Sequence, residues 1–150
     1  MNITIQKATE LGISRFIPIL TEYTNQPKIN FKNFELNMIE ASEQSERLSI
    51  PTLDKTIKLD DLVNNFPSDR GLVICDEGNE NLPTIYNALT NETKKYKKWA
   101  VIIGPEGGFS EKERRTISSL SSCISVSLGK RILRSDTATT AAIFSIQSVI

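Results

Sequence analysis

Residues 101–115 read V-I-I-G-P-E-G-G-F-S-E-K-E-R-R, and the fold follows from how that stretch is punctuated. The apolar run at residues 100–103 has the length and branching of a buried strand. It stops at Gly104-Pro105, where ladder hydrogen bonding fails. Gly107 and Gly108 permit positive φ and close approach of other atoms to the backbone. Ser110 followed by Glu113 is a capping-box signature that opens a helix. Strand, glycine loop and helix in succession put the loop at the carboxyl end of a strand, where α/β sheets bind small ligands. The same glycines also suit a plain tight connection between strand and helix. No Gly-Lys-Ser/Thr follows, and G-x-G-x-x-G is absent, so neither phosphate-loop motif is present. Glu106 repels phosphate and favours a cationic or hydroxyl-bearing ligand.

The chain's 150 residues are enough for one domain with its own core, and 39% hydrophobic with 24% charged residues fits a globular protein rather than a disordered or fibrous one. No run of about 18 apolar residues occurs, and Gln6, Lys7 and Glu10 interrupt any leader-like start, so a cytosolic protein without membrane partners is expected. Cys75 and Cys123 fall in predicted buried strands and read as small core hydrophobes rather than a disulfide. Histidine is absent, which removes the commonest general base and zinc ligand and every Ser-His or Cys-His arrangement. No metal is expected. Eighteen basic and eighteen acidic residues cancel, so RNA contact would need local clustering of charge.

Along the chain, Ile5, Ala8 and Leu11 step at helical spacing over residues 3–11, with Gly12 as C-terminal cap. Gln6, Lys7 and Glu10 share the other side. Residues 15–20 read as one strand, marked as edge or bulge by Pro18. A polar connector containing Pro27 spans 25–30, and Phe31, Phe34, Met38 and Ala41 describe an amphipathic helix over 31–47. Its end, E-A-S-E-Q-S-E-R at 40–47, is almost wholly polar. That set, like the Gln6 side of the first helix, is either a solvated face or a substrate-facing one. A short helix at 59–66 opens with Asp60 and Asp61. A buried strand at 71–75 runs into Asp76-Glu77-Gly78, and Pro83 suits the first position of a helix through Leu89. The basic run 94–98, with Tyr96 and Trp99, is a surface turn or a phosphate-contacting patch. Residues 123–128 read as a further strand, 129–134 as a basic loop, and Ser135-Asp136 as the cap of a helix running to Ile150. The C-terminal half thus repeats strand, glycine-bearing loop and helix. Its loops at Gly78, at Gly104, Gly107 and Gly108, and at Gly129 should gather at one edge of a parallel sheet.

The segments I-G-P-E-G-G-F-S at 103–110 and L-G-K-R-I-L-R-S-D-T-A at 128–138 closely resemble the ribosomal RNA small-subunit methyltransferase E family of the SPOUT superfamily. I-Q-K-A-T-E-L-G-I at 5–13 and residues 40–47 extend the resemblance over most of the chain. It implies transfer of a methyl group from S-adenosylmethionine to N3 of a uridine in 16S ribosomal RNA. It also implies an α/β SPOUT fold whose parallel sheet ends in a C-terminal deep trefoil knot, where sequence rules alone draw an unknotted sheet. A homodimer follows, with the cofactor in the knot and RNA held across both subunits of the dimer. Residues 1–150 correspond to the SPOUT methyltransferase domain, and the family's small N-terminal PUA-like domain is expected to be absent from this chain. The sequence departs from the family pattern at Lys130, where Pro is common, and at Ser135-Asp136, where Thr-Glu is common.

On this resemblance Ile103, Gly104, Gly107, Gly108, Leu128, Gly129, Ile132 and Leu133 are expected to bind the cofactor, with backbone groups reaching adenine and ribose and the apolar side chains forming walls. Arg134 is expected to stabilise a uracil anion, and Glu106 to orient the site or accept the N3 proton. Gln6, Lys7, Glu10, Glu43, Gln44 and Arg47 are expected to face the RNA. Two other readings stay open: a SPOUT enzyme for another RNA position, such as a ribose 2′-hydroxyl or a transfer-RNA base, and a non-catalytic cofactor-binding or dimerisation module.

Overall fold

The computed structural model describes residues 2–24, 28–76, 79, 81–92 and 95–150. The connector at Asn25 and Pro27, Glu77 and Gly78 of the second glycine loop, and Lys94 of the basic run lie outside the described residues. In chain order the elements are α1 (Asn2–Glu10), β1 (Arg15–Phe16), β2 (Ile19–Leu20), α2 (Phe31–Gln44), β3 (Thr52–Leu53), β4 (Ile57–Lys58), α3 (Leu59–Asn64), β5 (Arg70–Cys75), α4 (Ile85–Leu89), β6 (Lys98–Ile102), α5 (Glu111–Ser118), β7 (Cys123–Val126) and α6 (Ser135–Gln147). The fold is α/β, and every strand pair is parallel. Among the described residues no helix is long and apolar enough to cross a membrane.

The central sheet has the order β6-β5-β7. The chain steps from β5 to β6 through α4, then back past β5 to β7 through α5. Crossovers of one hand in opposite directions put their helices on opposite faces of the sheet. The side chains of β5 divide accordingly. Val73 and Cys75 pack with Ile85 and Leu89 of α4 and with Ala142 and Ile146 of α6. Leu72 and Ile74 pack with Leu59 of α3, with Phe109 of the glycine loop and with Ile117 of α5. At the sheet's amino end Gly71 lies opposite Trp99, and a Cβ there would stand 2.4 Å from the indole ring. Tyr96 meets that ring edge-on at 5.7 Å, so both aromatics of the basic run serve packing. Cys75 and Cys123 are not joined, and burial pushes the Cys123 thiol up to about 11.

Several expectations from the sequence change here. The predicted strand at 15–20 is two short strands: β1 pairs with β3 and β2 with β4, because the chain changes partner at Pro18, which lacks an N–H. The carbonyl of Pro18 accepts from the Ile57 N–H at 3.0 Å. Thr84, not Pro83, precedes the first turn of α4 and caps it through the Asn87 N–H. Arg134 rather than Ser135 is the N-cap of α6, and it caps without a side-chain bond; that helix ends at Gln147 rather than Ile150.

The helix expected to reach residue 47 ends at Gln44. The N–H of Arg47 bonds the Ser42 carbonyl at 2.9 Å, and that of Glu46 bonds Glu43 at 3.2 Å. This is a Schellman ending, with Glu46 at φ +56 where glycine is usual. Arg47 then turns back, and its Nη1 donates to the carbonyls of Thr9 at 2.6 Å and Ile13 at 3.0 Å, tying the end of α1 to the end of α2. The end of α1 has the same form with the expected Gly12 at φ +87. Glu46→Gly should therefore raise the unfolding free energy in urea by roughly 0.5–1 kcal/mol, by removing left-handed strain. Arg47→Met should lower it by about 1.5–3 kcal/mol, the usual worth of charge-assisted bonds to buried carbonyls.

Candidate functional site

A cavity of about 320 Å3 opens at the carboxyl ends of β5 and β6. Cys75 and Asp76 end one wall, Ile103 to Glu106 with Gly108 form a second, and Ile132, Leu133, Arg134, Ser135 and Ala138 form a third, with Arg114 of α5 between them. The glycine loop closes through a Gly108 N–H bond to the Pro105 carbonyl at 2.8 Å, with Gly108 at φ +70. The capping box of α5 anchors the loop's far side. The Ser110 N–H donates to Glu113 Oε2 at 2.9 Å, and the Glu113 N–H to Ser110 Oγ at 3.2 Å. Glu113 Oε1 also accepts from the Glu22 N–H at 2.7 Å, which fastens the 21–24 turn to the loop.

Of the residues the sequence nominated for cofactor binding, Ile103, Gly104, Gly108, Ile132 and Leu133 line this cavity. Three do not. Gly107 makes room for Tyr23, whose Cβ would sit 3.1 Å from a Cβ at Gly107. Leu128 packs against the α4/α6 core. Gly129 turns the chain at φ +118, and its N–H bonds Ser127 Oγ at 3.1 Å. Both nominated reactive side chains, Arg134 and Glu106, line the cavity and are exposed. Among the described residues neither has a hydrogen-bond or ion-pair partner. The Arg134–Asp136 ion pair that would have explained Arg134 structurally is not formed; Asp136 Oδ1 accepts instead from the Thr137 N–H at 3.0 Å.

Sequence reasoning missed Asp76 and Arg114, which form an ion pair at the cavity wall. A signal existed for Asp76, as the residue directly after a buried strand. None existed for Arg114, which is one charge in the run E-K-E-R-R and is singled out only by the packing of α5.

The residues expected to face RNA gather in part elsewhere. Gln6 and Glu10 of α1 and Glu40, Ala41, Glu43 and Gln44 of α2 line a groove of about 460 Å3. Gln6 Nε2 donates to Asn37 Oδ1 at 2.9 Å, which fixes its amide across the two helices. Lys7 pairs with Glu10 at 3.0 Å and does not line the groove, and neither does Arg47, whose guanidinium holds the end of α1. In the basic run Lys95 pairs with Glu92 at 2.8 Å and Lys98 with Asp69 at 3.5 Å.

Comparison with known proteins gives the family. The family model described as an RNA methyltransferase domain matches residues 1–147. The ribosomal RNA small subunit methyltransferase E of Rickettsia conorii is 34% identical over 142 residues, which cover 94% of this chain and 56% of that protein. The ribosomal RNA small subunit methyltransferase E of Neisseria gonorrhoeae, solved bound to S-adenosylmethionine, superposes with a TM-score of 0.83 at 28% identity, over 99% of this chain and 60% of that one. A methyltransferase of Legionella pneumophila, solved with S-adenosylmethionine as bound cofactor, gives a TM-score of 0.77 at 29% identity over the same shares. The chain thus spans somewhat over half the length of these relatives. With the match running almost end to end, it belongs to the RNA methyltransferase domain family.

Proposed function

We propose that this chain binds S-adenosylmethionine in the cavity at the ends of β5 and β6 and methylates N3 of a uridine in the 16S ribosomal RNA of the small subunit. The observation that carries the reading is the exposed pair of charges, Arg134 and Glu106, without partners among the described residues, on a cavity walled by glycine-loop backbone, apolar side chains and the Asp76–Arg114 ion pair. The residues present fit the cofactor. Ile103, Ile132, Leu133 and Ala138 offer apolar walls to a nucleoside, while Gly104 and Gly108 leave backbone groups accessible beside them. The relatives from Neisseria and Legionella, solved with S-adenosylmethionine bound, support the choice of cofactor.

When bound, S-adenosylmethionine supplies an electrophilic methyl group on sulfur, so the protein's task is alignment and the handling of one proton. Alignment can lower the barrier by as much as about 7–11 kcal/mol. The N3–H of uracil is a weak imide acid, protonated near neutral pH, and N3 becomes nucleophilic only when that proton leaves. Arg134, donating to a uracil carbonyl, stabilises the resulting anion. Glu106 accepts the proton directly or through water.

The proposal extends to the passage of the C-terminal segment as a trefoil knot and to a homodimer that holds RNA across both subunits. Within it Gln6, Lys7, Glu10, Glu43 and Gln44 face the RNA, while Arg47, turned inward onto the Thr9 and Ile13 carbonyls, holds the helix that presents them. Three carboxylates in the α1–α2 groove repel phosphate, so contacts there go to sugar hydroxyls and base edges, while Lys7 lies beside the groove to meet the backbone.

Three measurements test this reading. Calorimetric titration should give saturable binding of S-adenosylmethionine and none of NAD or ATP; a folded sample that binds no S-adenosylmethionine would sink the proposal. Arg134→Ala should lower methylation of small ribosomal subunits by more than 100-fold while cofactor affinity stays within a few-fold, and unchanged turnover removes Arg134 from the mechanism. Mapping the product decides the position. A methyl on N3 blocks base pairing, whereas a methyl on a ribose 2′-hydroxyl would assign the chain to a different RNA-modifying reaction.

A further inference from the structure

The ion pair Asp76–Arg114 lines the cavity but has no part in the chemistry above. Its geometry is set from three directions. Asp76 follows β5, and its N–H donates to the Val126 carbonyl at 3.0 Å, continuing the ladder with β7 and fixing the main chain at that point. Arg114 Nε donates to the Phe109 carbonyl at 3.2 Å, and Nη1 donates to Asp76 Oδ1. Nη2 lies 3.9 Å from where a Cβ on Gly108 would stand, which puts it beside the glycine loop. Guanidinium and carboxylate are therefore held in place, whereas Arg134 and Glu106 on the same cavity have no partners among the described residues.

The pair does not exhaust its own bonding capacity. A guanidinium carries five N–H donors, of which the two bonds above use only two, and a carboxylate keeps a second oxygen. The side chains are 41% and 20% exposed for Arg114 and Asp76, so these remaining groups are accessible from the cavity they line. A positive and a negative group held side by side are complementary to a ligand carrying one charge of each sign. They offer nothing comparable to a simple anion or cation, because one member of the pair always repels it. An α-amino acid is such a ligand, with its ammonium and carboxylate on one carbon.

We propose that Asp76 and Arg114 read the amino-acid end of S-adenosylmethionine. Arg114 donates to the α-carboxylate and Asp76 accepts from the α-ammonium, while the walls at Ile103, Ile132, Leu133 and Ala138 hold the nucleoside. This rests on the cofactor reading above and names the residues that orient the cofactor within the cavity. Charge-assisted bonds from a braced guanidinium are strong and directional. They set the direction in which the methyl-bearing sulfur faces and distinguish the cofactor from other adenosine derivatives.

The test compares S-adenosylhomocysteine with 5′-methylthioadenosine, which keeps the nucleoside and thioether but lacks the amino-acid group. Calorimetry on the wild-type chain should show S-adenosylhomocysteine bound at least tenfold more tightly. Arg114→Met and Asp76→Asn should each remove most of that preference while changing affinity for 5′-methylthioadenosine less than threefold, and Arg114→Lys should restore part of it. The second ligand doubles as the control for a folded nucleoside site. Equal weakening of both ligands by the substitutions would mean that the pair only braces the glycine loop, and an unchanged preference would mean that the amino-acid end lies elsewhere; either result overturns the assignment. A wild-type chain that binds 5′-methylthioadenosine as tightly as S-adenosylhomocysteine overturns it too, but leaves the cofactor cavity standing. Binding of neither ligand, nor of S-adenosylmethionine, removes the cofactor reading and this assignment together.

Discussion

The two-sided burial of β5 is the constraint on which the rest depends. Leu72, Val73, Ile74 and Cys75 are all buried, two toward each face, and each large apolar side chain in such a place is worth roughly 1.5–3 kcal/mol relative to exposure. A central parallel strand can keep that only if helices cover both faces. α4 and α6 cover one face, α3 and α5 the other. Parallel strands joined by helices must all deliver their loops to the same edge. The cavity stands where it does because the core leaves the chain nowhere else to turn.

The N-terminal helices join this core through another set of bonds. Ile5, Phe34 and Met38 form a small cluster of their own, and α1 also packs on α6, where Gln147 donates to the Leu11 carbonyl. The end of α1 thus receives donors from both neighbours: Arg47 reaches Thr9 and Ile13, and Gln147 reaches Leu11. Carbonyls left over at a helix end are usually solvated or capped locally; here they act as the joint between the groove and the sheet. Sequence reading treated Arg47 as a group facing outward, whereas its Nη1 is committed inward.

Legibility followed the range of the interactions. The glycine loop, the capping box at Ser110 and Glu113, the Gly12 ending and the three strands of the central sheet all rest on residues within a few places of one another, and all were legible, the strands with ends displaced by one or two places. β3 and β4 went unread because a two-residue strand has no periodicity; Thr52 and Ile57 are strand residues only by virtue of partners about forty positions earlier. The Schellman ending at Glu46 was hidden because its usual glycine is missing. In the cavity, the walls near the G-P-E-G-G motif were legible and Arg114 was not, since its pairing with Asp76 spans 38 positions and no local pattern announces it. Gly107 is a conspicuous glycine that stands off the cavity wall, with Tyr23 Cβ 3.1 Å from where its own Cβ would be.

Trp99 is the sole tryptophan, and its ring lies over Gly71, across the boundary between the sheet's edge strand and its centre. Intrinsic fluorescence of this protein is therefore a local gauge. It registers separation of β6 from β5 and is blind to loosening of α1 and α2, which lie in a separate cluster. A fluorescence melt follows the β5–β6 junction alone, whereas a helix-sensitive circular-dichroism melt sums over α1 to α6. A helical signal lost before the fluorescence changes therefore marks helices that loosen while that junction still holds.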